Sequence, residues 1–370
     1  MNKRVLMVAT VPSMIGQFNM NNIRILLELG YSVDVASDFT DVSVWPSERV
    51  QKFKEQLKDM NVEAIQLDFS RKPLKIGRHM ESYRETVKLL KDRKYAFIHT
   101  HTPIASAIVR QAAHKTGTKV IYTAHGFHFY EGAPLKNWLI FYPIEKHYSR
   151  YTDVLITINK EDYGRAKKHF KAKKVVCIPG VGVDTEKFAP QADTNDKRAE
   201  IGVTSECKLI ISVGELSARK NHKIIVEALQ ELPDDYWYVI VGKGELKDEL
   251  MSFDHTGRLK LLGFRTDIVE LLHAADLFVF PSLQEGLPVA LMEAMAAGLP
   301  CIVSKIRGNV DLIDSDDYYL PANPSDIARK IGDDRFWNNA NIGEKNRSII
   351  KRECSIEHIE KLMRSLYSSW

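Results

Sequence analysis

Short apolar runs alternate with longer amphipathic stretches along most of this chain. Residues 4–10, 31–37, 62–68, 96–101, 119–125, 153–159 and 174–179 each read as a short apolar strand, the pattern of a parallel sheet covered on both sides. Between them lie polar segments with helical spacing, such as residues 19–29, which stop at Gly30. Strands and helices in this rhythm call for parallel sheets with right-handed crossovers. The glycine-rich run 179–184 and the polar stretch 190–200 interrupt it and read as hinge and linker. The rhythm restarts at 208–214, 236–242, 258–263, 276–281 and 300–305, and from about residue 326 the pattern is mostly helical. The expected fold is α/β: two doubly wound, parallel-sheet, Rossmann-like domains facing each other across a cleft. Their expected bounds are residues 1–183 and 184–354. Residues 355–370 follow, and the apolar spacing of 356–366 suits packing back on the first domain or, nearly as well, within the second.

Composition adds limits. A chain of 370 residues, 44% hydrophobic and 27% charged, is ordinary for a globular protein of about two domains. No run approaches the roughly 18–20 apolar residues of a membrane span. The start superficially resembles a signal peptide, but Pro12 and Gln17 interrupt the apolar run and no small-residue cleavage pattern follows, so a first buried strand is expected. Cys177, Cys207, Cys301 and Cys354 are widely spaced, which suits reduced thiols in the cytosol rather than disulfides or a zinc site. The net charge of +4 hides an asymmetry: residues 1–185 carry 29 Lys and Arg against 18 Asp and Glu, and the second half is net acidic. A basic first half suits anionic lipid at the inner face of a membrane, or a phosphorylated acceptor, as well as it suits plain solvation. Nucleic acid is disfavoured, since the basic residues are not interleaved with aromatics in a recognisable binding module.

Chemistry concentrates where strands end. Glu285-Gly-Leu-Pro-Val-Ala-Leu-Met-Glu293 follows the apolar strand 276–281, with Pro288 expected in the first helical turn and Gly298 just past the last. Glu285 therefore lies in a loop at the carboxyl end of a strand, beside a helix start suited to phosphate. An acid in that place suits sugar hydroxyls. Arg219 and Lys220 lie in the loop after the strand 208–214, on the same edge of the sheet. Two cations there can neutralise a diphosphate leaving group without a metal. In the first half, strands 96–101 and 119–125 deliver His99, His101 and His125 to one edge, with His128 just beyond. Metal binding by these histidines is disfavoured, because no carboxylate lies at a convincing ligand spacing. The loop around Gly16 has one glycine rather than the triplet of a dinucleotide fingerprint, so a nicotinamide or flavin cofactor is not expected.

Together these segments resemble retaining glycosyltransferases of family 4, which have the GT-B fold. The resemblance covers nearly the whole chain, and its most specific element is the Glu285/Glu293 pair in its setting of Pro281-Ser-Leu-Gln-Glu-Gly-Leu-Pro and Glu-Ala-Met-Ala-Ala-Gly-Leu-Pro. The run 179–184 and Thr123-Ala-His-Gly are also similar to the family, and the segment 9–19 resembles members that build bacterial capsular or exopolysaccharide units. The resemblance implies an acceptor-binding first domain and a donor-binding second one. It implies Glu285, with Gly286 and Leu287, at the donor sugar, Glu293 at the ribose hydroxyls, Arg219 and Lys220 at the diphosphate, and His125 beside the transferred carbon. Gly16 would let its loop approach the acceptor and the phosphates, Arg265 would line the base pocket, and Asp184 would be structural at the hinge; His101, at its strand end, is a candidate substrate-binding residue. Members often carry Arg after the strand-ending Gly214, where this chain has Glu215, so one phosphate cation is absent there and whether Arg219 replaces it is left open by the sequence. The expected reaction moves a hexosyl or N-acetylhexosaminyl unit from a nucleotide sugar, UDP-linked by resemblance, to an acceptor hydroxyl, with no metal or cofactor. The acceptor is expected to be a polyprenyl-diphosphate-linked saccharide. A nucleotide-sugar 2-epimerase and a non-catalytic sugar-nucleotide-binding subunit remain the alternatives.

Overall fold

The computed structural model describes residues 3–72, 74–189, 195–337 and 340–370. The chain divides into two compact units: Met1–Val181 together with Ile359–Trp370, and Gly182–His358.

In the first unit seven parallel strands form one sheet: β1 (Arg4–Val8), β2 (Ser32–Ser37), β3 (Glu63–Gln66), β4 (Tyr95–His101), β5 (Lys119–Ala124), β6 (Val154–Thr157) and β7 (Lys174–Cys177). Their order is β3-β2-β1-β4-β5-β6-β7. The chain thus winds outward one way from β1, then returns to β4 and winds the other way. Ligands in such sheets bind beyond the carboxyl ends at the point where the order reverses, here between β1 and β4. Val5 and Met7 of β1 join one apolar cluster, and Leu6 and Val8 join another on the opposite face. This is why the strand reads as an unbroken apolar run rather than an alternating one.

The last helix, Ile356–Ser368, belongs mostly to this unit. Ile359, Met363, Leu366 and Tyr367, spaced at helical intervals, enter the same core cluster as Val5 and Phe97. The Tyr367 ring stacks on Phe97 with centroids 5.9 Å apart.

The second unit holds five parallel strands: β8 (Lys208–Val213), β9 (Tyr236–Val241), β10 (Leu259–Gly263), β11 (Leu277–Phe280) and β12 (Cys301–Val303). Their order, β10-β9-β8-β11-β12, places the reversal between β8 and β11.

Three local expectations are corrected. Thr10–Asn19 is not a loop: the helix Pro12–Phe18 opens almost directly after β1, with Pro12 in its first turn, and breaks at Asn19 before the helix Met20–Glu28. Proline in the first turn forfeits only a donor that the helix leaves unpaired anyway. Pro288 is the residue just before its helix rather than part of the first turn. It is extended, with φ −80° and ψ 117°, and Val289 is the first helical position. The polar stretch 190–200 is helical over Asn195–Glu200, and its remaining residues, 190–194, lie outside the described residues.

Candidate active site

In the second unit the two strands flanking the reversal deliver the charged residues. After β8 the chain makes a short 3₁₀ turn, Ala218–Lys220, followed by Asn221 in the left-handed region at φ 53°. This turn points Lys220 inward. Its residue is only 8% exposed, and Nζ lies 4.5 Å from the centroid of the Phe280 ring at the end of β11. Gly214 leaves room for the lysine stem, since a Cβ there would come within 3.1 Å of Lys220 Cε. After β11 the loop carries Glu285 back towards this turn. Lys220 Nζ donates to Glu285 Oε1 at 2.8 Å, and Arg219 Nη1 donates to the same oxygen at 2.9 Å. The two loops are also tied through the backbone, where Leu283 N donates to Arg219 O at 2.8 Å.

Burial is the largest influence on the Lys220 ammonium and lowers its pKa, against the opposing pull of Glu285. A largely desolvated ammonium and a neighbouring guanidinium share one carboxylate oxygen. That makes a preorganised cluster with one more positive charge than negative, suited to an incoming phosphate.

The sequence reading missed Arg307. It follows β12, is buried, and its Nε donates to the Glu285 carbonyl at 3.0 Å. The signal was available, since Lys305-Ile-Arg307-Gly308 comes directly after an apolar strand. Gly308 has φ 84°, and a Cβ there would come within 2.5 Å of Gly286 O and 3.2 Å of Leu287 Cα. The backbone of Gly286 and Leu287 is therefore packed tightly against Gly308.

His222 was likewise passed over. Its Nδ1 lies 3.1 Å from the Tyr238 hydroxyl, which donates to Ser212 Oγ at 2.8 Å. Burial lowers its pKa to about 4, so a neutral ring underlies the turn that carries Lys220.

Glu293 lies one turn into the helix Val289–Ala296, which begins four residues after Glu285. Burial pushes its carboxyl up to about 7, with Lys187 pulling slightly the other way. Arg265 stands apart from the Lys220 cluster. Its Nε donates to Asp267 Oδ1 at 2.8 Å and its Nη2 to Glu200 Oε1 at 2.5 Å. The Arg265 hydrogen bonds, with help from Lys197, hold the Asp267 carboxyl well below its usual range.

In the first unit the histidines gather at the carboxyl ends of β4 and β5, next to the β1/β4 reversal. His99 and His101, two residues apart on β4, share one face, with ring centroids 4.3 Å apart. His101 Nδ1 lies 3.1 Å from His125 Nε2, just past β5, while His99 bridges Thr123 Oγ1 at 2.8 Å and the Tyr367 hydroxyl at 2.7 Å. Burial lowers all three pKa values, to about 3 for His99 and about 4 for His125, so the rings are neutral near pH 7. His101 and His125 line a small pocket with Asn19, Thr123 and Gly180. His101 Nε2 is buried there without a hydrogen-bond partner among the described residues.

Thr102, next in the chain, holds φ 67°, a strained value for a β-branched residue. Its hydroxyl lies 2.8 Å from that of Thr10 and accepts from the Thr10 N–H at 3.0 Å. With Asn221, both reversal points thus carry a non-glycine residue at positive φ, the kind of local strain that gathers at functional sites.

Gly16 does not join this pocket. It is helical, and a Cβ on it would overlap the Trp45 ring, so close packing explains the glycine.

Two family models match the chain: Glycosyltransferase Family 4 over residues 17–187, and Glycosyl transferases group 1 over residues 193–365. The chain is 33% identical over 326 residues to the "Putative glycosyltransferase EpsD" of Bacillus subtilis (strain 168), covering 85% of this chain and 81% of that one. It is 34% identical over 305 residues to the UDP-Gal:alpha-D-GlcNAc-diphosphoundecaprenol alpha-1,3-galactosyltransferase of Escherichia coli, covering 76% and 79%. The Anabaena protein Alr3699/HepE, solved with UDP and glucose, superposes with a TM-score of 0.77 over all of both chains at 19% identity, a likeness of fold. With two parallel-sheet α/β domains, both family models and bacterial relatives named as glycosyltransferases, the chain belongs to the glycosyltransferases of the GT-B fold.

Proposed function

We propose that the protein transfers a sugar from a UDP-sugar to a hydroxyl of a lipid-linked saccharide, retaining the anomeric configuration. The observation that carries this reading is the grip of Lys220 and Arg219 on one oxygen of Glu285 at the β8/β11 reversal. In the proposed reaction the bond from the anomeric carbon to the diphosphate oxygen breaks, and a bond to the acceptor oxygen forms on the same face. The acceptor proton passes to an oxygen of the departing diphosphate. Negative charge grows on that diphosphate, and Lys220 and Arg219 stabilise it as it develops, so no metal ion is required. Glu285 then accepts from sugar hydroxyls, with Gly286 and Leu287 supporting its loop.

Glu293, ionised when ligand hydroxyls donate to it, holds the ribose, and Arg265 borders the base. In the first unit, the neutral His125 and His101 receive the acceptor hydroxyl. The E. coli relative is named for a UDP-galactose donor and a diphosphoundecaprenol acceptor, which supports both choices of substrate class. A Campylobacter jejuni relative, 26% identical over 306 residues, is also named for a diphospho-undecaprenol acceptor. The basic first half supports work beside an anionic membrane surface, and no helix among the described residues is long and apolar enough to cross a membrane.

Release of UDP, followed with and without a lipid-linked saccharide acceptor, tests the reading. Release is expected to require acceptor, whereas an epimerase would need none. K220A and E285Q are expected to lower turnover by about 10²-fold or more, as loss of a transition-state charge contact does. Near-normal turnover in K220A would overturn the assignment.

A further inference from the structure

The first unit holds a second, larger cavity that the chemistry above leaves unused. It is lined from the helices Ile76–Asp92, Pro103–Thr116 and Leu135–Ser149 and from the segment that follows β5. Its cavity volume is about 290 Å³. That is the lower end of the roughly 300–1,000 Å³ typical of small-molecule clefts. Ile104, Ile108, Phe127, Phe129, Phe141 and Ile144 supply most of an apolar wall. Glu145 also borders it, but this carboxylate is committed: Arg110 Nη2 donates to it at 2.9 Å and the Tyr122 hydroxyl at 3.0 Å. The buried charges are thus matched within the fold, and the cavity favours hydrocarbon over a polar ligand.

The surface beside it is apolar where solvent should meet polar groups. On the helix Leu135–Ser149, Leu135 is 72% exposed, Leu139 69%, Ile140 51% and Ile144 43%. Ile140 and Ile144 also line the cavity, so the apolar surface runs from the outside into it. Leu74, Ile76 and Met80, flanking the cavity residue His79 in the chain, are exposed as well. An apolar area of this kind rimmed by charge marks an interaction site. The rim is basic. Lys75 lies one turn before His79, and Lys136 one turn before Ile140, so each stacks towards a residue of the cavity; both are exposed. Lys72, Arg78, Lys146 and Arg150 are exposed on the same two segments. An apolar bore with a cationic mouth matches a molecule that has a long hydrocarbon chain and an anionic head. Gly126 and Phe127, which line the cavity, follow His125 directly in the chain, so a head held at this cavity lies close to the histidine cluster of the same unit.

We propose that this cavity binds the isoprenoid chain of a lipid-diphosphate acceptor, with Lys75 and Lys136 meeting the diphosphate at its mouth. The diphosphate head rests on the lipid-linked acceptor of the proposed function; the hydrocarbon site rests on the cavity and the exposed helix alone.

Titration calorimetry with geranylgeranyl diphosphate as probe, inorganic diphosphate as control and no donor present tests it. Saturable one-to-one binding with a negative heat-capacity change is expected for the prenyl diphosphate, and no comparable binding for inorganic diphosphate. A107W, which fills the cavity from the half-buried Ala107, and I144E, at a position open enough to tolerate charge, are each expected to weaken binding by about ten-fold or more. Unchanged affinity in I144E and in a folded A107W, or no saturable binding to the wild type, would overturn the proposal. So would variants that keep prenyl diphosphate binding but lose attachment to phosphatidylglycerol vesicles free of isoprenoid, which would make this face a dock for the bilayer. Because no transfer is measured, failure of the transferase reading in K220A and failure of this site are read independently.

Discussion

Lys220 shows how one side chain acquires a task from its surroundings. As part of Ala-Arg-Lys-Asn in a loop it would ordinarily be solvated surface. Here a 3₁₀ turn and the missing side chain of Gly214 bring its stem under the backbone and its ammonium onto Glu285. Burial that disfavours the charged form is offset by a matched partner, and removing either one leaves the other uncompensated.

Glu293 is the opposite case, a buried carboxyl that burial holds up near 7 against an ordinary 4.5. Between those values the unfolded chain is ionised while the folded chain keeps its proton, so folding stability declines as pH rises from about 4.5 to about 7. The loss attributable to this group, about 1.4 kcal/mol for each of roughly 2.5 pKa units, is about 3 kcal/mol. E293Q is expected to flatten that part of the profile, as read by urea denaturation at pH 5 and pH 7.5. An unchanged slope would place the carboxyl in a better-solvated setting.

At the scale of elements, the site depends on where strands end. Gly242, at the end of β9, has φ 156°, and a Cβ on it would overlap the Gly214 carbonyl at the end of β8. Gly214 meets only the flexible stem of Lys220. The two glycines should therefore fail differently when substituted. G242V is expected to lower stability by several kcal/mol, because rigid backbone must move. G214A is expected to shift the melting temperature little, yet to reduce turnover in the direction of K220A by displacing the ammonium. Comparing melting temperatures with turnover for the two variants checks this, and a G214A enzyme with wild-type turnover would refute it.

Much of this scale was legible in the sequence. Apolar runs located the strands, and Pro-Ser or Gly after a run located the loops that carry Glu285 and Lys220. The helix Pro12–Phe18 was not legible, because Pro12 and Gly16 look like loop residues. One is tolerated in a first helical turn, and the other is required by Trp45, which is distant in sequence.

For the molecule as a whole, the last helix is the main tertiary device within the first unit. Ile359, Met363, Leu366 and Tyr367 are buried in that unit's core, and the Tyr367 hydroxyl lies 2.7 Å from His99 of the histidine cluster. Four such side chains at about 1.5–3 kcal/mol each amount to roughly 6–12 kcal/mol of apolar burial. That is comparable with the whole stability of an ordinary domain, about 5–15 kcal/mol. A chain ending at Ser355 is therefore expected to lose cooperative unfolding of the first unit, whereas Y367F is expected to lose only about 1–3 kcal/mol, the cost of leaving a buried partner unpaired. Urea unfolding followed by tryptophan fluorescence distinguishes these outcomes, and a stable truncated chain would show that the helix merely covers the sheet.

The sequence by itself determined the strands, the doubled α/β plan and the residues at the strand ends, because buried parallel strands are unbroken apolar runs and ligand loops follow them. Glu285, Lys220, His101 and His125 could be named from that alone. Only the tertiary structure decided which of them meet. The order of the strands, with reversals between β1 and β4 and between β8 and β11, sets which loops are neighbours, and no local pattern encodes that order. It brought Arg307 behind the Glu285 loop, left Arg265 in its own charge network and gave Gly16 to packing. It also opened the apolar cavity beside the helix Leu135–Ser149, whose walls come from helices far apart in the chain.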